Sequence, residues 1–194
     1  ASQKVSRQGG TSAPETDLQL LALIREGDRS AFEQLYRLYH PRLTRFLQTL
    51  IRRPTIVEEV LNDTLMVVWN KPDSFHGASK LSTWIYAIAY RKAMKGLRQQ
   101  DEAVEDKDAD RRVSLDAGPE DASSRVRVHQ LLMKAMSELT AAHRAVVDLT
   151  YFHELGYREI AEILECPVDT VKTRMFHARR HLRKHRGGAG AGWI

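Results

Sequence analysis

The stretch that decides the fold is Tyr157-Arg-Glu-Ile-Ala-Glu-Ile-Leu-Glu-Cys-Pro-Val-Asp-Thr-Val-Lys-Thr-Arg-Met-Phe-His-Ala-Arg-Arg-His181. Its apolar residues fall into two helical stripes. Ile160, Ala161 and Leu164 share one face of a first helix, and Val168, Val171, Met175, Ala178 and Leu182 recur at spacings of three and four on a second. Pro167 has no amide hydrogen and a preset φ, so it suits the first turn of a helix and marks the corner between the two. Ala161 stands ten residues ahead of Val171, small enough for two helices to cross over it. The spacing predicts a helix-turn-helix.

With that stripe buried, the second helix turns Thr170, Lys172, Thr173, Arg174, Phe176, His177 and Arg180 outward. No acidic residue occurs from Thr170 to Arg186, whereas Lys172, Arg174, Arg179, Arg180, Arg183, Lys184 and Arg186 are basic. Such a helix gains from a polyanionic partner, and its bulk matches the DNA major groove. Corner, crossing alanine and one-sided charge together point to duplex recognition rather than to a merely solvated basic face.

The rest of the chain is bounded by simple counts. Its 194 residues suffice for one domain or two small ones, and the net charge of +5 favours an anionic partner. Cys166 is the only cysteine, so an intrachain disulfide is excluded; it reads as a small packed side chain. No apolar run approaches the roughly 20 residues that span a bilayer. With no signal peptide ahead of the first helix, a cytoplasmic location is expected.

Upstream of the corner, Val128, Leu131, Leu132, Ala135, Met136 and Leu139 form one helical stripe. Thr140 caps a helix with Ala145, Val146, Leu149 and Phe152, and Gly156 ends it. Residues 101–124 change character: nine acids face only Lys107, Arg111 and Arg112, and Gly118-Pro119 interrupts. This reads as a flexible acidic linker between two domains, 17–100 and 125–186. Residues 1–16 read as a disordered arm and 187–194 as a mobile tail. The fold class is therefore all-α.

In the first domain, Asp17 to Gly27 reads as a short helix. Ser30 with Glu33 and Thr55 with Glu58 form capping-box patterns that open two further helices, and Pro41 predicts a kink near His40. The third helix buries Ile56, Val57, Val60, Leu61, Leu65, Val68 and Trp69 and leaves Glu58, Glu59, Asn62 and Asp63 on the other side. Those four read either as a solvated acidic face or as a docking patch for a basic partner. After a loop at 72–82, a helix is expected over Thr83–Gln99. From Ser74 to Gln100 there is no acid, and Phe75, Trp84, Tyr86 and Tyr90 interleave with Lys80, Arg91, Lys92, Lys95 and Arg98. Aromatics among cations suit a single strand, whose bases stack at about 1–3 kcal/mol each; the alternative places Phe75 and Trp84 in an ordinary core.

These stretches, in this order, resemble the extracytoplasmic-function (ECF) sigma factors of bacterial RNA polymerase, over about residues 17–100 and 128–186. The resemblance rests on Gly27-Asp-Arg-Ser-Ala-Phe32, on Glu59-Val-Leu-Asn-Asp63 followed by Trp69, on Asp73-Ser-Phe75 with Ser82-Thr-Trp84-Ile85-Tyr86-Ala-Ile-Ala89, and on Leu155-Gly-Tyr-Arg-Glu-Ile-Ala161 with Cys166-Pro-Val-Asp-Thr-Val-Lys-Thr-Arg174 and Ala178-Arg179-Arg180. It implies a non-catalytic subunit without cofactor or resident metal. Glu58, Glu59, Asn62 and Asp63 would dock the clamp of the core polymerase β′ subunit. Phe75, His76, Lys80, Trp84, Tyr86, Tyr90, Arg91 and Lys95 would melt and read the −10 element, capturing an extruded base. Lys172, Thr173, Phe176 and His177 would face −35 base edges, and Arg174, Arg179 and Arg180 would grip phosphates. The acidic linker would thread a basic channel of polymerase, and an anti-sigma factor is an expected partner. The chain departs from the family pattern at Arg91, where asparagine is common, at Leu81, and at Glu165 and Asp169, two carboxylates beside the DNA.

Two other readings compete. A stand-alone helix-turn-helix regulator would share the C-terminal half but has no use for the aromatic-basic stretch 75–98. An enzyme is disfavoured: no phosphate loop and no nucleophile-base pair occur. His177, His181 and His185 lie at i, i+4 and i+8, which makes a helical metal face conceivable, but they have no carboxylate neighbour in sequence and read as an extension of the basic surface.

Overall fold

The structure, a computed structural model, describes residues 13–105 and 124–185. Among these there are eight α-helices and no strand: α1 (Ala13–Arg25), α2 (Arg29–Leu50), α3 (Pro54–Asn70), α4 (Leu81–Glu105), α5 (Ser124–Ser137), α6 (Ala141–Tyr151), α7 (Tyr157–Leu164) and α8 (Val168–His185). The all-α expectation holds. Helix α1 starts inside the stretch expected as an arm, and α4 runs past Gln99; most of the arm, most of the acidic linker and the tail lie outside the described residues.

Several helix ends are set by residues other than those expected. Asp28, not Ser30, caps α2, its carboxylate accepting from the Ser30 and Ala31 amides at 2.8 and 3.1 Å. Gly27 precedes it at φ +84°, a left-handed turn that closes α1. Arg53 holds the cap position of α3 without a side-chain bond, and Pro54 opens the helix from its first position, where a missing amide costs nothing. Thr140 does cap α6, but that helix ends at Tyr151 and Gly156 instead begins α7. Helix α2 continues through Pro41, whose ring lies on the exposed side.

The N-terminal module is built around α2. Leu35, Tyr39, Leu43, Phe46 and Leu47 are buried against Leu61, Leu65 and Val68 of α3 and Ile85, Ala89 and Ala93 of α4. Tyr39 donates its hydroxyl to the buried Asp17 carboxylate of α1. Burial first, and that bond second, push the phenol far above its ordinary pKa. The C-terminal module packs Ala145, Val146 and Leu149 of α6, Ile160, Ile163 and Leu164 of α7, and Val171, Met175 and Ala178 of α8. Helix α5 is less buried than its stripe predicts: Ala135 and Leu139 are covered, but Leu131 and Leu132 are exposed.

The two modules pack on each other, α2 against α6 and α4 against α7. Arg144 of α6 donates to the carbonyls of Thr49 at 2.7 Å and Leu50 at 3.3 Å, and also to Leu139. Thr49 and Leu50 end α2, where helical carbonyls lack intrahelical partners and the dipole favours a cation. Arg52 reaches the Ser137 carbonyl at 3.2 Å, and the Arg45 guanidinium lies 3.9 Å from the Phe152 ring centre.

Candidate nucleic-acid interface

Helix α8 presents the first surface. Its inward stripe leaves Lys172, Thr173, Phe176, His177 and Arg180 exposed, with Phe176 at 63%. Two arginines of the set are half-buried and already engaged. Arg179 donates from Nε to the Tyr151 hydroxyl at 3.1 Å, and Arg174 reaches Cys166 Sγ at 3.8 Å. Lys172 lies 3.4 Å from Asp169, so one carboxylate does stand on this face. His177 neighbours His143, whose pKa is lowered by burial and then by Arg174 and His177. A shallow groove between Tyr157, Lys172, Phe176, Arg180 and Arg183 follows the helix. The corner is made by Glu165 in the left-handed conformation (φ +50°), its amide turned back to Glu162.

The second surface surrounds the start of α4. His76, Lys80, Arg91 and Lys95 are exposed, and Trp84 is half-buried with its ring 5.5 Å from that of Phe75. Phe75, Tyr86 and Tyr90 are buried. The expectation of an open aromatic strip is corrected here: α4 is covered on both sides, by its own module and by α7 and the α6–α7 turn of the other. Lys80 pairs with Glu159, and Arg91 with Glu165 at 3.3 Å. The Tyr86 hydroxyl lies 3.2 Å from His153 Nδ1, and His153 Nε2 lies 3.2 Å from the buried Asp148 carboxylate, out of line for a hydrogen bond. Desolvation by burial raises the phenol pKa of both Tyr86 and Tyr90. Arg174 lies beside Tyr90, so a residue of one surface touches the other.

Sequence reasoning missed Glu159, His153 and Arg144, which join the modules. Only Glu165 carried a signal, as a carboxylate that departs from the family pattern.

The third surface is the outer face of α3. Glu58, Glu59, Asn62 and Asp63 are exposed together, opposite the buried Val57, Val60, Leu61 and Leu65. Asn62 accepts from the Tyr36 hydroxyl at 3.2 Å, while none of the three carboxylates takes part in an ion pair among the described residues.

A helix-turn-helix with an outward basic helix, joined to a second helical module with its own cationic helix, defines a DNA-binding transcription protein. Comparisons with known proteins narrow this. Residues 35–103 match sigma-70 region 2 and residues 129–182 match sigma-70 region 4. The RNA polymerase sigma-H factor of Pseudomonas aeruginosa is 27% identical over 180 residues, 88% of this chain and 93% of that one. The ECF RNA polymerase sigma factor SigW of Bacillus subtilis is 28% identical, over 83% of this chain and 91% of that one. The sigma factor RpoE of Bartonella quintana, solved in complex with the anti-sigma factor NepR, superposes with a TM-score of 0.66 at 28% identity, covering 82% of this chain and 98% of that one. The chain belongs to the sigma-70 family, among its ECF members. It is an RNA polymerase sigma factor, not a stand-alone regulator.

Proposed function

We propose that the chain docks on core RNA polymerase through Glu58, Glu59, Asn62 and Asp63 of α3. It then reads the −35 duplex with α8 and opens the −10 element with the start of α4. The observation that carries this is the separation of three surfaces of opposite character: an acidic face on α3 with no ion pair among the described residues, and two cationic helices in different modules. On α8, Lys172, Thr173, Phe176 and His177 stand outward where base edges would lie, and Arg174, Arg179 and Arg180 serve phosphates. On the −10 side, His76, Lys80, Arg91 and Lys95 hold the strand backbone, and Phe75, Trp84, Tyr86 and Tyr90 offer ring surface to unstacked bases.

The buried state of Tyr86 and Tyr90 adds a step. Glu159 and Glu165 occupy the cations that a strand would take, so α7 must leave α4 before the −10 strand can enter. The junction that has to part holds ion pairs, carbonyl bonds and the Tyr86–His153 contact around buried side chains of both modules that form one continuous apolar core, so parting exposes apolar surface as well as charge. Core polymerase, by engaging α3 and the second module separately, supplies the free energy for that parting. The domains act as separate units, about 17–100 and 125–186, joined by the acidic segment. The subunit is non-catalytic and cytoplasmic. Among the described residues no helix is long and apolar enough to cross a membrane. A partner anti-sigma factor is supported by the NepR complex of the Bartonella quintana relative.

In vitro transcription with purified core polymerase tests the whole reading. Promoter-specific transcript should appear only when the chain is added; duplex binding that core leaves unaltered, with no transcript, would count against it.

A further inference from the structure

The fold assembles a group of side chains that promoter recognition does not use. Glu138, at the end of α5, meets His181 and His185 from the last turns of α8. One carboxylate oxygen, Glu138 Oε2, lies 2.8 Å from His185 Nε2 and 3.3 Å from His181 Nε2. The two imidazole rings are 4.6 Å apart. Sequence spacing placed three histidines on one helix face and found no acid beside them; the fold brings the acid from 43 positions upstream of His181 and leaves His177 out, next to His143.

The hydrogen bonding fixes which nitrogens are available. His185 Nδ1 lies 3.1 Å from the His181 carbonyl oxygen. A carbonyl only accepts, so Nδ1 carries a proton and Nε2 is the nitrogen left to face Glu138. A backbone carbonyl that accepts from the far nitrogen commonly orients a metal-bound histidine. His181 Nε2 is buried and has no hydrogen-bond partner, because Oε2 lies near it but out of line. A buried imidazole nitrogen without a partner is costly unless something binds it. Two imidazole nitrogens and a carboxylate oxygen converging on one point call for a positive charge among them, a proton on an imidazole or a metal cation.

We propose that Glu138, His181 and His185 bind a divalent late transition metal, zinc foremost, with water in the remaining position. Two histidines and one glutamate form an established three-ligand zinc set, and imidazole nitrogens select zinc over magnesium or calcium. The three ligand atoms lie within 4.8 Å of one another. A tetrahedral zinc with bonds of about 2.0–2.1 Å wants them roughly 3.3 Å apart, which small rotations of the exposed Glu138 and the half-buried histidines supply. The ion would pin the end of α5 to the C-terminal turns of α8 and so fix the recognition helix within its module.

The test uses tag-free full-length protein, stripped with chelator and titrated with zinc by calorimetry at neutral pH, with cobalt as an optical probe. One zinc per chain should bind, cobalt should give the visible absorption of a tetrahedral N/O site, and zinc should raise the Tm. His181→Asn/His185→Asn, which keeps the helix polar, should lose the stoichiometric binding and the Tm shift while its helical circular dichroism stays unchanged; His177→Asn should retain both. Glu138→Gln should weaken zinc binding. Absence of stoichiometric zinc in the parent chain overturns the site, as does zinc retained by the double variant. Unaltered affinity in Glu138→Gln overturns the three-ligand assignment.

Discussion

Helices α4 and α8 carry the same chemistry, cations among aromatics, but in opposite circumstances. On α8 the readers stand in the open: Phe176 is 63% exposed and Lys172, His177 and Arg180 flank it. On α4 Tyr86 and Tyr90 are buried at the junction between modules, and Lys80 and Arg91 are held by Glu159 and Glu165. The difference teaches that two similar cationic helices are not equally accessible. On the proposed reading, the closed molecule can touch a −35 duplex and only an open one can take a −10 strand. The acidic α3 face is exposed and forms no ion pair among the described residues, which on the proposed reading leaves it open for first contact with polymerase.

Four substitutions break or sharpen that contrast. The largest effect is expected from Asp63→Lys, which places a like charge against a basic clamp at a cost of several kcal/mol. Association with core should vanish in a pull-down while far-UV circular dichroism is unchanged; normal association would remove α3 from the docking surface. Next, Arg144→Ala removes charged bonds to the carbonyls of Thr49 and Leu50 and should loosen the junction by about 2–4 kcal/mol. Small-angle scattering should report a larger radius of gyration, and amides around Tyr86 and Tyr90 should exchange faster; an unchanged radius means that Arg144 does not hold the modules together. Third, Lys172→Ala should weaken −35 duplex binding by about 1–3 kcal/mol if it reads a guanine, without altering binding of a −10 single strand. A uniform loss across unrelated duplexes would reassign Lys172 to phosphate. The smallest effect belongs to Glu165→Gly. It relieves a left-handed residue, worth about 1 kcal/mol, and gives up a half-exposed pair with Arg91 worth about 0.2–1 kcal/mol. The urea midpoint should rise slightly or stay level; a clear fall would show that the Arg91 pair outweighs the backbone strain.

Much of this was legible in the sequence, and the reasons are local. The stripe Val171, Met175, Ala178 is buried as its spacing demands, Ala161 is covered at the helix crossing, and Thr140 caps α6. Periodicity reports which face of one helix is apolar, and that fixes a fold of small helical modules. It does not report what covers the other face. Tyr86 and Tyr90 read as an exposed aromatic strip because their partners, His153 and Arg174, lie more than 60 positions away. The meeting of Glu138 with His181 and His185 was hidden for the same reason. Leu131 and Leu132 erred the other way: their stripe is genuine, yet among the described residues nothing covers them. The box patterns misplace the starts of α2 and α3, because a carboxylate at the cap (Asp28) or a proline at the first helical position (Pro54) satisfies the helix start more directly than a reciprocal pair.

The end of α4 at Glu105 and the start of α5 at Ser124 have a consequence for genomes as well as for the molecule. However the joining segment runs, covalent geometry caps its reach at about 65 Å, from roughly 3.3–3.6 Å per residue. At about 3.4 Å per base pair that is close to two turns of B-form duplex. Together with the span of the modules themselves, that reach sets an upper limit: inserting base pairs between the elements of its target should be tolerated up to it and then refused.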